Sequence, residues 1–340
     1  MIDVFNTPNN TSKTQIFYTT SSGATNQWQI WNKPDNCSFV QFTVIGGGGG
    51  GGGAASRVNE SSGGGGGGGS SAITTAFFSS SLLPSILYIQ VGVGGTSGVA
   101  GNSALSGALR NGTNGTSGSL SYVSVTPNST TANILLSSGS AAAGGGVGGT
   151  NTAGGTAGIA GTIFTFATTV FANLGIVRVI AGQSGTAGGY TSTAPSNISI
   201  TNITSGGAGG GGMGLSDSRN GGSITESGFF NGVTGGSISV SIINIAGTAS
   251  TITATTKSNG SDGYFILPSY NQLTTKPMLF TGGAGGAAGG SVGGGPGNGG
   301  YGGKGAFGSG GGGGGASYQT GFNGGRGGRG GDGIVIITCW

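Results

Sequence analysis

Apolar and polar positions alternate along this chain in short runs, and each run empties into glycine. FVQFTVI at 39–45 alternates at period two and leads straight into Gly46–Gly53. That period predicts a strand with one face turned to a core. AITTAFF and then LPSILYIQVGVGG follow a second glycine run, Gly63–Gly69. In the latter, Ile86, Tyr88 and Gln90 alternate against Leu87, Ile89 and Val91, so both faces read as largely apolar and the strand as buried. A strand pair is predicted near Leu120–Val125 and Ile134–Leu136, ahead of Gly144–Gly161. Thr162 to Ala181 reads as two strands with a turn near Asn173–Gly175. Period-two runs recur at 237–245 (SISVSIINI) and 251–256 (TITATT), and the chain ends in the strand Ile334–Thr338. Residues 1–38 read as a β-rich, turn-rich lead-in with Trp28 and Trp31 packed beneath it. Apolar residues seldom recur at helical spacing, and glycine disfavours the α-helix.

Glycine supplies 86 of the 340 residues, and in places it keeps a three-residue rhythm. NGGYGGKGAF sets Asn298, Tyr301, Lys304 and Phe307 in one phase; RGGRGGDG does the same with Arg326, Arg329 and Asp332. Gly92, Gly95, Gly98 and Gly101 keep such a phase, as do Val147, Thr150, Ala153, Thr156 and Ile159. Three residues per turn is the polyproline II geometry, which has no internal hydrogen bonds. Its amides must find partners in neighbouring segments. The expected fold is therefore all-β with packed polyglycine/polyproline II-type helices and essentially no α-helix. Collagen is excluded, since the chain has eight prolines and often two glycines per triplet. Composition divides the chain into a lead-in (1–38), a glycine-rich region with strands (39–161), a β-rich middle (162–281) and a glycine-triplet region ending in a strand (282–340). Together they read as one compact structural unit.

Chemistry is sparse. There is no histidine, and the acids Asp3, Asp35, Glu60, Asp217, Glu226, Asp262 and Asp332 are scattered. Acid–base catalysis and metal binding both call on groups that are scarce here, so no enzyme activity, cofactor or metal is expected. Formal net charge is +4 with dispersed bases, short of the basic stripe that nucleic-acid binding requires. GGRGGRGG has the look of an RGG box, but the same residues also read as one stripe of a glycine helix running into a strand. Glycine-rich GxGxxG matches lack a βαβ context, and GGYGGKGAF has Gly305 where a P-loop needs Ser or Thr. The sequons at Asn111, Asn114, Asn128 and Asn202 are expected in any Ser/Thr/Asn-rich chain. MIDVFNTPNN lacks the features of a secretory signal, and Thr162–Ala181 is a poor membrane span, so no membrane insertion is expected. Cys37 and Cys339 each adjoin a predicted strand; they would bridge if those strands are neighbours, and otherwise stand as two buried thiols. Tyr301, Phe307, Tyr318 and Phe322 offer either a stacking surface for a ligand or packing between glycine helices.

WNKPDNCSFVQFTVIGGGGGGGG (31–53) resembles the opening of the glycine-rich domain of bacteriophage and other viral structural proteins, through Trp31, Lys33, Pro34 and Val44–Gly53. GGRGGRGGDGIVIITCW (324–340) is similar to its closing. The resemblance implies a tail-fibre, spike or adhesin component, located in the virion and extracellular after lysis. Implied partners are other virion proteins and a host-surface glycan or protein. Apolar strands that one chain cannot cover point separately to further copies of the chain, with a trimer as candidate stoichiometry. A capsid decoration or head-fibre protein is a variant within that class. A self-assembling extracellular filament or matrix protein is the alternative outside it.

Overall fold

The computed structural model describes residues 13–20, 27–58, 60–104, 110–130, 132–165, 175–191, 193–214, 218–225, 235, 240–243, 249–252, 259–263, 265–266, 279–289, 297–318 and 320–340. In chain order its strands are β1 (Lys13–Phe17), β2 (Gln29–Asn32), β3 (Phe39–Ile45), β4 (Ile73–Ser79), β5 (Ile86–Gln90), β6 (Tyr122–Ser124), β7 (Ile134–Ser137) and β8 (Gly175–Ile180). The short strands β9 (Ile198–Ser199), β10 (Ile224–Thr225), β11 (Val240–Ile243), β12 (Ala249–Ile252), β13 (Phe265–Ile266) and β14 (Leu279–Phe280) come next, and β15 (Ile334–Cys339) closes the chain. Among the described residues the only helical element is a 3-10 turn at Ser80–Leu82, so the fold is essentially all-β.

An antiparallel five-stranded sheet, β1-β15-β3-β4-β8, and a four-stranded sheet, β2-β5-β6-β7, share one core. Alternation decides which side chains enter it. Val40, Phe42 and Val44 of β3 face inward with Val335 and Ile337 of β15, against Trp31, Leu87, Ile89, Val123 and Leu136 of the other sheet. The Trp31 and Phe78 rings both meet Phe42 edge-on, at 6.1 and 6.0 Å. Truncating a buried phenylalanine such as Phe42 costs about 3–5 kcal/mol. In β5 Leu87 and Ile89 are fully buried, while the opposite face of the pleat is covered unevenly, from Ile86 at 43% exposed through half-buried Tyr88 to buried Gln90. Of the strands expected in 162–181, Gly175–Ile180 forms β8, and residues 166–174 lie outside the described residues. So do 237–239, 244–245 and 253–256 of the two period-two runs, and Pro296.

The strands feed the glycine tracts directly. β3 runs on into Gly46, β5 into Val91–Gly92 and β8 into Ala181–Gly182, while 63–72 enters β4 and 324–333 enters β15. The double sheet thus closes one end of a bundle whose other end is made of turns.

Backbone hydrogen bonds within the bundle rotate with a period of three. Gly47, Gly50 and Gly53 donate to Ser119, Thr116 and Thr113; Gly48, Gly51 and Ala54 to Gly331, Gly328 and Gly325; Gly49, Gly52 and Ala55 to Gly69, Gly66 and Gly63. The carbonyls of the same tract accept from three further segments, through Gly95 and Gly98, Gly146 and Gly149, and Gly311 and Gly314. Six neighbours therefore surround this tract. The tracts 63–69 and 310–315 are bonded to it, to each other, and likewise to six neighbours each.

These three central tracts are the three longest unbroken glycine runs in the sequence. With neighbours on every side, no phase is free to carry a side chain. A Cβ on Gly50, Gly51 or Gly52 would stand 2.0, 2.0 or 2.1 Å from the carbonyl oxygen of Thr96, Gly312 or Val147. Tracts at the perimeter have one open side, and there the triplet pattern replaces pure glycine. The phase through Val147 and Ile159 belongs to two antiparallel arms joined at 151–153, since Val147 donates to Thr156 and Gly144 to Ile159. Gly308 makes the one turn that links 299–306 to 310–317; its φ of 68° and the Ser309-to-Ala306 bond of 2.9 Å require glycine there.

Candidate functional site

On the flank of the bundle four perimeter tracts lie side by side. Gly327 and Gly330 donate to Gly98 and Gly95; Gly302 and Gly305 donate to Arg326 and Arg329; Gly260 and Gly263 donate to Tyr301 and Lys304. The outward triplet phases of these tracts surround a shallow groove of about 750 Å³. Lys304, Arg326 and Arg329 bring positive charge to it, Asp262 and Asn259 bring acceptors, and Tyr301 stands 53% exposed at its side. Ser97, Ser261 and glycine backbone at 260, 302, 327 and 328 complete the lining.

The acceptors are held by the backbone of the next tract. Asp262 Oδ1 accepts from the Lys304 amide at 2.7 Å, and Asn259 Oδ1 from the Tyr301 amide at 2.8 Å. Arg329 donates to Asp332 Oδ1 at 2.7 Å, and the same oxygen accepts from the Gly94 amide at 2.8 Å. Among the described residues, Lys304 and Arg326 are exposed and form no ion pair.

Asp262 and Asn259 exemplify a rule of this surface that the sequence did not disclose. An amide in an outward phase has no neighbouring tract to bond, and a short polar side chain of the adjoining tract takes its place. Thr113 and Thr116 hydroxyls accept from the Val99 and Thr96 amides, Asn114 Oδ1 from Gly148, Thr186 Oγ1 from Gly209, and Asn298 Oδ1 from Asn323. Asn114 and Thr116 form one of the sequons, so part of the Ser/Thr/Asn content is structural. The signal was spacing: Thr113, Thr116 and Ser119 keep the same triplet step as the glycines between them.

The four aromatics are not gathered. Tyr301 flanks the groove, whereas Phe307 packs at the sheet end against Phe280, Phe265 and Tyr18, with ring centroids 6.1, 5.6 and 5.8 Å away. Tyr318 packs against the cluster of Ala54, Met213, Ala288 and Ala316, and half-buried Phe322 accepts a bond from Ser56 Oγ through its carbonyl. Cys37 and Cys339 lie 5.6 Å apart at Cα and are joined as a disulfide; pairing of β15 with β3 sets Cys339 opposite Val40.

Among the described residues no three His, Cys, Asp or Glu side chains converge to hold a metal, and no helix is long and apolar enough to cross a membrane. Burial raises the Tyr122 phenol above its ordinary value near 10. A search of curated proteins finds no match to the chain. Residues 20–161, which hold β2 to β7 and the first two of the three central tracts, match the family described as a glycine-rich domain.

Proposed function

We propose that the protein is a non-enzymatic structural component of a virus particle, a tail fibre, spike or other surface appendage. The observation that carries this reading is the three-residue rotation of hydrogen bonds around the three central glycine tracts. The tracts act as polyglycine II-type helices, cross-linked through their backbones into a stiff block. Such a block presents turns at one end and a double sheet at the other. The virion assignment is supported by the resemblance of 31–53 and 324–340 to viral glycine-rich domains.

In this reading the partners are further copies of the chain, in a trimer, together with other virion proteins and a host-surface glycan or protein. Among the described residues β8 ends the five-stranded sheet, and its free backbone edge offers a second copy a strand to pair with. Nucleic-acid binding and membrane insertion have no part in it. The test is to band native particles on a density gradient, locate the protein by mass spectrometry and image the fractions. Protein on DNA-containing particles is the expected result, and its position would distinguish a fibre from a capsid decoration. Protein confined to capsid-free filaments would overturn the virion reading in favour of an extracellular assembly.

A further inference from the structure

We propose that the flank groove bounded by Tyr301, Lys304 and Arg326 binds a carboxylate-bearing saccharide. This stands whether or not the protein belongs to a virion, because it rests on the groove alone. Three of the chain's eleven bases converge there, and two of them, Lys304 and Arg326, have no carboxylate partner among the described residues. Arginine's planar fork matches a carboxylate with two parallel bonds, and lysine adds a point charge beside it.

The remaining groups suit a hydroxyl-rich ligand. Asp262 spends Oδ1 on the Lys304 amide, which leaves Oδ2 free to accept from a sugar hydroxyl. Tyr301 presents an exposed ring for the apolar face of a pyranose and a phenol for its rim. An acidic group inside the groove disfavours a closely spaced phosphate backbone, so a saccharide is preferred over a nucleic acid. The anchors are also held in place beforehand. Arg326 receives the Gly302 amide on its carbonyl at 2.9 Å, and Gly325, Gly327 and Gly328 on either side of it are buried in the lattice. Little backbone ordering is left to oppose binding.

The experiment titrates the full chain with oligogalacturonate, with dextran fragments of equal length and with oligothymidylate, by calorimetry at low and moderate salt. Binding of the uronate, weakened by salt and absent for dextran, is expected. Arg326→Gln and Lys304→Gln should each weaken it several-fold and their combination at least ten-fold, and Tyr301→Ala should also weaken it. Arg178→Gln, an equal charge change on β8, should leave it unchanged. All these side chains are exposed, so a melting curve matching the parent is the expected control, and either single glutamine variant suffices if the double variant misfolds. Failure to bind the uronate, equal binding of dextran, indifference to both glutamine variants, or tighter binding of oligothymidylate would each overturn the proposal.

Discussion

A β-carbon placed on Gly328 would stand 1.8 Å from the carbonyl oxygen of Gly303. No side-chain rotation relieves that overlap, because both sides of the contact are backbone. Gly328 also donates to Gly312 at 2.7 Å and accepts from Gly51 at 2.9 Å, so moving it disturbs two of the neighbouring tracts at once. Gly328→Ala should therefore destabilise the protein by about 3 kcal/mol or more, and Gly328→Val should prevent folding. Arg329→Gln, one residue on, should cost less than about 1 kcal/mol, because its pair with Asp332 is between partly exposed side chains. Denaturant melts of the three variants check this, and similar losses for positions 328 and 329 would contradict the three-residue rotation.

How far the lattice was legible in the sequence follows from the same contact. Strand–glycine alternation marked where each tract begins, and the triplet phases at Arg326 and Tyr301 marked which tracts have an open side. The pure runs at 46–53, 63–69 and 310–315 carried their central position too, since only a tract enclosed on all sides excludes every side chain. Which tract lies beside which was not legible. Any glycine tract satisfies the amides of any other at the same spacing, so the pairing of Gly51 with Gly328 rather than another glycine is set by strand order in the sheets. The break at 151–153 was missed because Thr150, Ala153 and Thr156 stay in phase across the turn. The groove was missed because Asp262 and Lys304, forty-two residues apart, are brought together by bonds between tracts, such as those from Gly260 to Tyr301 and Gly263 to Lys304, which sequence spacing does not reveal.

Asp332 shows what the perimeter caps contribute. Its Oδ1 accepts from the buried Gly94 amide, which has no neighbouring tract on that side. Asp332→Ala leaves that donor without a partner, at a cost of about 1–3 kcal/mol. Asp332→Asn keeps an oxygen in the same place and should cost less than half as much. Hydrogen exchange at the Gly94 amide separates the two: it should accelerate in the alanine variant and stay slow in the asparagine variant.

The Cys37–Cys339 bridge spans 302 residues of sequence and fixes the end of β15 to the chain entering β3. β1 pairs with β15 on its other side, so β15 and the outer strand β1 both depend on that attachment. Replacing both cysteines by serine should lower stability by about 2–4 kcal/mol. The loss should appear first as faster exchange in Lys13–Phe17 and Ile334–Cys339. Non-reducing peptide mapping must find the two cysteines in one linked peptide pair.

Burial raises the Tyr122 phenol, so the folded protein holds this proton to higher pH than the unfolded chain does. Above the ordinary value near 10 the unfolded state binds fewer protons, and stability falls as pH rises. The contribution is complete below pH 10 and is lost as pH climbs toward the raised folded value. Tyr122→Phe should flatten the decline between pH 9 and 11 in chemical denaturation, and an unchanged slope would assign the decline to other groups.

Thr191 carries a φ of 49°, and it follows Tyr190 in a turn closed by reciprocal bonds between Tyr190 and Thr193, at 3.0 and 2.8 Å. A β-branched side chain is strained in that left-handed region, where asparagine is tolerated. The strain persists because the two bonds fix the turn from either side, at the end of the bundle away from the double sheet. Thr191→Asn should therefore stabilise the protein by about 1 kcal/mol, raising Tm by roughly 2 °C in a chain of this size. Thr191→Pro should do the opposite, since the ring holds φ near −65° and cannot adopt the turn. Calorimetric melts of the pair decide the matter: a rise for asparagine with a fall for proline places the backbone at 191 in the left-handed region, and equal shifts would remove it from there.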